Sequence, residues 1–286
     1  MRAETQEELE HRLGARIIKW SPLSGGDIAQ AYLVETAHDR LFCKFLSGDH
    51  GFSMLLAERE GLERIRKAKA VNTPKVFFCE SFWGEACLGM ELIETKTPSP
   101  SEMRTLGTQV AEMHGNSYDA FGYPSDNFIG SLPQSNKSNL SWVAFYVKER
   151  LVPQFQMALS KNLLAAHEIP NEELLLENLG TYLDQVRPSL LHGDLWSGNY
   201  LIAASGTPYL IDPAIYFGDP VVDLAMSRLF GGFGPDFYKG YVATAGVYPF
   251  EKERVEIYQL YYLLVHLNLF GRSYYGSVKN ILKTYF

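Results

Sequence analysis

The sequence predicts an α+β fold in two lobes, a β-rich first lobe carrying one helix and a mostly helical second lobe. Three observations lead there. Five short β-branched or aromatic runs crowd the first ninety or so residues, separated by turn-forming stretches. Beyond the polar, proline-broken Thr95-Lys-Thr-Pro-Ser-Pro stretch, apolar residues recur at helical spacing instead. The composition, 46% hydrophobic and 21% charged over 286 residues, is that of a globular chain long enough to bury two cores. The Thr95 stretch is the expected boundary, giving lobes of residues 1–94 and 95–286.

In the first lobe the expected strands are Ile17–Trp20, Gln30–Thr36, Leu41–Leu46, Lys75–Cys79 and Ala86–Ile93. Ser53–Lys67 is the expected helix, because Leu55, Glu58, Leu62 and Ile65 recur at spacings of 3, 4 and 3. The second lobe opens with Ser99-Pro-Ser-Glu, a capping box with proline at the first helical position. Met103, Leu106, Val110 and Met113 then supply a buried stripe, and Gly115 a stop. Asn171 caps a further helix whose expected stripe is Leu175, Leu179, Tyr182 and Val186, with Pro188 ending it. Cys43, Cys79 and Cys87 lie in strand-like runs without metal spacing and read as buried reduced thiols of a cytosolic protein. The first residues lack the apolar core of a signal peptide, which supports a cytoplasmic location. Ile257–Phe270, broken by Gln259, His266 and Asn268, falls short of the roughly 18 apolar residues of a spanning helix. The formal charge, 26 − 33 = −7, argues against a broad grip on nucleic acid or an anionic membrane.

The chemistry concentrates in Leu190-Leu-His-Gly-Asp-Leu-Trp-Ser-Gly-Asn-Tyr-Leu-Ile, followed by Tyr209-Leu-Ile-Asp-Pro. Tyr200–Ala203 and Tyr209–Ile211 flank Ala204-Ser-Gly-Thr, a plausible hairpin turn. The midpoint of Asn199 and Asp212, (199 + 212)/2 = 205.5, falls inside that turn, so the two are expected to face each other at one end of the hairpin. An amide oxygen and a carboxylate converging there suit Mg²⁺. Asp194, in the preceding loop, is placed to accept a proton from a substrate hydroxyl. Positioning and charge neutralisation of this kind are what phosphoryl transfer requires.

The first lobe adds independent support. Lys44 is the single charge in a strand apolar on both faces, so its ammonium needs an anionic partner. Glu58 sits on the apolar stripe of the helix, whereas Glu60 and Glu63 have Arg64 and Lys67 four residues on and belong to the solvated face. Lys44 is therefore expected to pair with Glu58 and to reach nucleotide phosphates; snorkelling to solvent is the alternative. Ser24-Gly-Gly-Asp-Ile lies where a loop could cover phosphates through Gly25 and Gly26. Met90-Glu-Leu-Ile is either an ordinary strand end or a segment whose backbone pairs with adenine.

These residues resemble the protein-kinase-like small-molecule kinases, and among them the fructosamine kinase (ketosamine-3-kinase) family. The resemblance spans nearly the whole chain, including Phe42-Cys-Lys, Asn127-x-Ile-Gly, Ser141-Trp…Arg150, His192-Gly-Asp-Leu-Trp-x-Gly-Asn, Asp212-Pro-Ala, Gly218-Asp-x-x-x-Asp-Leu-Ala and Leu229-Phe-Gly-Gly-Phe. It implies a two-lobed protein-kinase-like fold and ATP- and Mg²⁺-dependent phosphorylation of the 3-hydroxyl of a ketosamine, free or as glycated lysine. The product is unstable and frees the amine, so the implied role is deglycation, a form of repair. By the same resemblance Asp194 is the catalytic base, Asn199 and Asp212 hold Mg²⁺, and Lys44 and Glu58 organise the phosphates. Gly25 and Gly26 cover the phosphates, and Glu91 and Ile93 offer backbone groups to the base. His192 and Asp223 support the catalytic loop, and Trp196 falls to the substrate side. Asp212 is followed by Pro-Ala and not by Phe-Gly, so no flipping of an activation segment is implied. A kinase for another hydroxylated metabolite, such as an aminoglycoside or choline, is the alternative among enzymes. A catalytically silent nucleotide-binding scaffold is the alternative outside them.

Overall fold

Turn-bounded β-branched runs cannot bury both faces alone, and in the computed structural model, which describes residues 3–23, 29–48, 50–183, 186–246 and 251–286, they meet in one sheet. Helix α1 (Ala3–Leu13) precedes β1 (Ile17–Leu23), β2 (Gln30–Thr36) and β3 (Arg40–Ser47), and α2 (Gly51–Ala68) leads into β4 (Val76–Phe82) and β5 (Glu85–Glu91). The strands are antiparallel in the order β1-β2-β3-β5-β4. Strand alternation divides β3 as its sequence requires. Leu41, Cys43 and Phe45 join Leu9 of α1 in one buried cluster, while Phe42 and Leu46 pack with Leu55 and Leu62 of α2 on the other face. Lys44 thereby faces α2. The three cysteines are buried and free.

Two helices, not one, accompany this sheet. Helix α1 escapes the periodicity argument because it carries one fully buried apolar residue, Leu9, among mostly charged neighbours. Its other anchor is polar: Thr5, also fully buried, donates to Glu85 at 2.8 Å. The Ser24-Gly-Gly-Asp-Ile loop lies outside the described residues.

The second part of the chain opens with α3 (Pro100–His114). Ser99 Oγ accepts from the Glu102 N–H, and the Glu102 carboxylate accepts from the Ser99 N–H at 2.8 Å. Such a cap contributes about 1 kcal/mol. The short hairpin β6 (Asn127–Ile129) and β7 (Leu132–Gln134) follows, then α4 (Trp142–Phe145), a π-turn at Tyr146–Leu151, α5 (Val152–Ser160) and α6 (Glu172–Tyr182). Asn171 caps α6, but that helix ends at Tyr182, which is exposed; Leu175, Leu179 and Leu183 form the buried stripe instead of Tyr182 and Val186.

Strand β8 (Ser189–Leu191) pairs with β11 (Tyr216–Gly218), and between them lies the hairpin β9 (Tyr200–Ile202) and β10 (Pro208–Leu210). Helices α7 (Val221–Leu229), α8 (Pro235–Ala245), α9 (Lys252–Phe270) and α10 (Tyr275–Tyr285) complete the fold. Helix α9 is buried on nearly every side and serves as the axis of the large core. This explains why Ile257–Phe270 is so apolar. Among the described residues no helix is long and apolar enough to cross a membrane.

The two parts are stitched at the hairpin. Ala204 N–H donates to the Glu94 carbonyl at 2.7 Å, Lys96 N–H to Ile202, and Leu210 N–H to Asn72. The segment leaving β5 thus rests on the strands that carry the site.

Candidate active site

The loop His192–Asn199 connects β8 to β9 and is held from below by one carboxylate. Asp223, fully buried on α7, accepts from the His192 N–H at 2.7 Å and from the Gly193 N–H at 2.8 Å. His114, the last residue of α3, completes the support, with Nε2 3.1 Å from Asp223 and Nδ1 2.9 Å from the Tyr241 hydroxyl. The Tyr262 hydroxyl donates to the Gly193 carbonyl at 2.8 Å. Gly193 has φ +82°, and a Cβ there would lie 2.0 Å from the Ala214 carbonyl oxygen, so no other residue fits. Asp219 is committed elsewhere, to Arg254 at 2.5 Å and to the Tyr258 hydroxyl. Tyr241 and Tyr262 left no local signal in the sequence, and His114 none of its role, since they reach the loop from helices distant along the chain.

His192 is a structural group. Its Nε2 donates to the Ile211 carbonyl at 2.9 Å, while Nδ1 accepts from the Asp194 N–H at 3.3 Å. Burial holds its pKa below the ordinary range even though Asp223 works the other way, so the ring stays neutral in that tautomer. It ties the loop to the strand leading into Asp212.

Asp194 stands half-buried at the head of the loop. Asn199 Nδ2 donates to its carbonyl at 2.9 Å and to its Oδ2 at 3.1 Å. Burial first, then the Asp212 charge, pushes the Asp194 carboxyl up to about 7 against the Asn199 hydrogen bond. A carboxyl in that position is poised for proton transfer near neutrality.

Lys44, Glu58 and Asp212 come together from three distant parts of the chain. Lys44 Nζ is 2.7 Å from Glu58 Oε1 and also pairs with Asp212 Oδ1. Burial works against the Lys44 charge, but the two carboxylates overcome it and hold the ammonium protonated. Burial raises the Glu58 carboxyl to about 8; at Asp212 burial works the same way, but the Lys44 charge and hydrogen bonds from Glu58 and Lys44 together overcome it and hold that carboxyl low. Two acidic side chains converge on one ammonium, and the proton that burial keeps near Glu58 offsets part of the crowding of negative charge. Glu60, on the other face of α2, accepts from Ser125 Oγ at 3.0 Å instead of pairing with Arg64.

The hairpin places Asn199 and Asp212 one residue away from the expected register. Leu210 faces Tyr200, and the Ile211 N–H donates to the Asn199 carbonyl at 3.0 Å, so the partner of Asn199 is Ile211. Asp212 lies just beyond, at φ +54°. This left-handed backbone ends the strand and re-aims the carboxylate toward Lys44, which spacing alone cannot reveal. Glu91 closes β5, its N–H on the Lys75 carbonyl and its carboxylate on the Lys75 N–H; Ile93 lies half-buried in the connecting segment. Trp196 is 38% exposed beside Asp194. Gly25 and Gly26 lie outside the described residues.

The sequence profile of the fructosamine kinase family matches residues 1–286. A relative from Lactiplantibacillus plantarum named as a ketoamine kinase is 38% identical over 266 residues, covering 92% of this chain and 93% of its own. A chloroplastic protein-ribulosamine 3-kinase of Oryza sativa subsp. japonica is 34% identical over 271 residues, covering 93% and 78%. A crystal structure from Haemophilus somnus named as a fructosamine-3-kinase superposes with a TM-score of 0.87 at 26% identity, covering 98% of this chain and 95% of that one. Aminoglycoside phosphotransferase APH(4)-Ia shares the fold, with a TM-score of 0.63 at 14% identity and 98% coverage of both chains. The two-lobed protein-kinase-like architecture is therefore established, and the chain belongs to the fructosamine kinase family.

Proposed function

We propose that this protein transfers the γ-phosphoryl group of ATP to the 3-hydroxyl of a ketosamine, with residues 1–94 binding the nucleotide and 95–286 supplying catalysis and the acceptor site. The observation that carries the reading is the convergence of Asp194, Asn199, Asp212, Lys44 and Glu58, which come from both halves of the fold. A silent scaffold has no need of all five.

Asp194 takes the proton of the acceptor hydroxyl as that oxygen bonds to the γ-phosphorus. The bond from phosphorus to the β–γ bridging oxygen breaks, and ADP leaves. Asn199 turns its amide nitrogen to Asp194, which leaves Oδ1 as the oxygen for a metal ion. Asp212 supplies a carboxylate. Two oxygen donors fit Mg²⁺, which is usually held by one or two protein groups together with phosphate oxygens and water. When bound, the ion would neutralise charge developing on the transferred phosphoryl. Lys44, steadied by Glu58, meets the nucleotide phosphates and so exchanges one anionic partner for another. The end of β5 offers the Glu91 carbonyl and the segment after it the Ile93 backbone to the adenine, and Trp196 faces the acceptor.

The family resemblance and the ribulosamine 3-kinase relative support a sugar adduct of an amine as the acceptor, hence a deglycation role. ATP-consumption assays against ribulosamine, erythrulosamine and fructosamine adducts, with aminoglycosides and choline beside them, test this. Turnover of a ketosamine is expected. Phosphorylation of the aminoglycosides or choline alone would overturn the assignment.

A further inference from the structure

The stretch from Ile211 to Tyr216, which carries Asp212, has its backbone fixed from several sides. On the loop side, the Ile211 carbonyl accepts from His192 Nε2, and the Ala214 N–H donates to the His192 carbonyl at 2.8 Å. On the opposite side lies the β6–β7 hairpin. Asn127 Nδ2 donates to the Ile215 carbonyl at 2.8 Å, and Gln134 Nε2 donates to the Ala214 carbonyl at 3.3 Å and to Asn127 Oδ1 at 2.8 Å. The Tyr261 hydroxyl, 2.6 Å from Gln134 Oε1, fixes which way that amide faces. Both amides are nearly fully buried, where each unsatisfied polar group would cost free energy.

Arg150 fixes the hairpin from behind. It is fully buried in the π-turn, and its guanidinium donates to the Ser135 carbonyl at 2.6 Å and to Asn136 Oδ1 at 2.7 Å. Its charge lies over the Tyr216 ring at 4.0 Å. From the other direction α2 presses on the residue after Asp212. A Cβ at Gly61 would lie 2.7 Å from Pro213 Cγ, so the helix bearing Glu58 approaches this stretch as closely as its backbone permits. Phosphoryl transfer itself uses none of Asn127, Gln134 or Arg150.

We propose that Asn127 and Gln134 are positioning residues for the metal-binding carboxylate. With Arg150 behind them they form a fixed clasp on the residues that follow Asp212, so the backbone carrying the metal ligand is set before the nucleotide arrives. The inference rests on Asp212 being a metal ligand. Two amides suit the task because each reads a carbonyl at a defined angle, whereas apolar packing would let the stretch slide.

Mn²⁺ binding to the enzyme–ADP complex, read from the free-ion signal in electron paramagnetic resonance, tests the clasp without turnover. Asn127→Ala and Gln134→Ala are each expected to weaken Mn²⁺ binding ~10-fold, the lower end of the effect of outer-shell groups on metal sites. ADP affinity measured without metal should stay within about twofold of the parent protein, since neither side chain contacts Lys44. Gln134→Met, which keeps the volume and loses the donor, should behave like Gln134→Ala while being better packed. Unchanged Mn²⁺ affinity in folded Asn127→Ala and Gln134→Met proteins would overturn the proposal and leave the hairpin a purely structural element. Asp212→Asn separates the two layers of the argument. If it weakens Mn²⁺ binding and the clasp variants do not, the clasp fails alone; if it too has no effect, the metal-ligand reading fails with it.

Discussion

Replacing Asp194 by asparagine should nearly abolish turnover and yet stabilise the ligand-free protein at alkaline pH. The substitution keeps the shape of the side chain, and Asn199 Nδ2, 3.1 Å from Asp194 Oδ2, can donate to the new amide's oxygen as well. An unfolded aspartate titrates near 3.8, whereas burial and the Asp212 charge push Asp194 up to about 7. A gap of about three pH units corresponds to ~4 kcal/mol at about 1.36 kcal/mol per unit. Water at the half-buried carboxylate screens part of this, leaving ~2 kcal/mol. The folded state binds the proton more tightly, so the charge costs stability in full above pH 7 or so. That cost fades as the pH falls through about 7 and is gone below about 4. Asp194→Asn removes it. At about 2 °C per kcal/mol for a chain of this size, Tm should rise ~4 °C at pH 8.5 and by somewhat over a third of that at pH 5. Calorimetry of the ligand-free protein across that range measures the trend, and a coupled ADP assay should show kcat down by ~10²–10⁴. A Tm change that is negative at pH 8.5, or the same at both pH values, would refute the desolvation argument. Near-normal turnover would remove Asp194 as the base.

Other expectations follow from the same geometry. Asp212→Asn and Asn199→Ala should each raise the Mg²⁺ concentration needed for half-maximal activity, and unchanged titration curves in both would contradict their assignment as metal ligands. In a double-mutant cycle on kcat/KM with Lys44→Met, Glu58→Gln should be strongly non-additive, since the two side chains are 2.7 Å apart. Glu60→Gln should be additive and nearly silent, because its exposed contact to Ser125 survives the change; non-additivity at Glu60 would place the wrong face of α2 against the site. Asp223→Ala strips the acceptor from two buried N–H groups and from His114, and should lower unfolding free energy in urea by ~3 kcal/mol or more. A loss below ~1 kcal/mol would mean that the loop is held by other contacts.

What the sequence alone determined is local or periodic. Strand alternation put Lys44 on the face away from Cys43 and Phe45, and helical spacing put Glu58 inward, so their pairing needed only that the helix pack on that face. The Ser99 cap, the β9–β10 hairpin and the His192–Asn199 motif were legible for the same reason, since the residues that make them are close in the chain. Tertiary structure decided the rest. Helix α1 has one fully buried leucine, with Leu13 half-buried beside the same cluster, and is otherwise held by polar contacts from Thr5 to Glu85 and Arg12 to Glu80, which leaves too faint a periodicity to read. Symmetry about a turn predicted Asn199 opposite Asp212, but the hairpin turns about Ser205, so Asn199 faces Ile211, and the left-handed residue at 212 then sends its carboxylate to Lys44. Asp223 was marked as a loop support by resemblance alone, and the other contacts around the site, from His114, Tyr262, Asn127 and Gln134, come from four separate elements. Their roles depend on the direction of single hydrogen bonds between them, and direction across distant segments is settled only when the chain has packed.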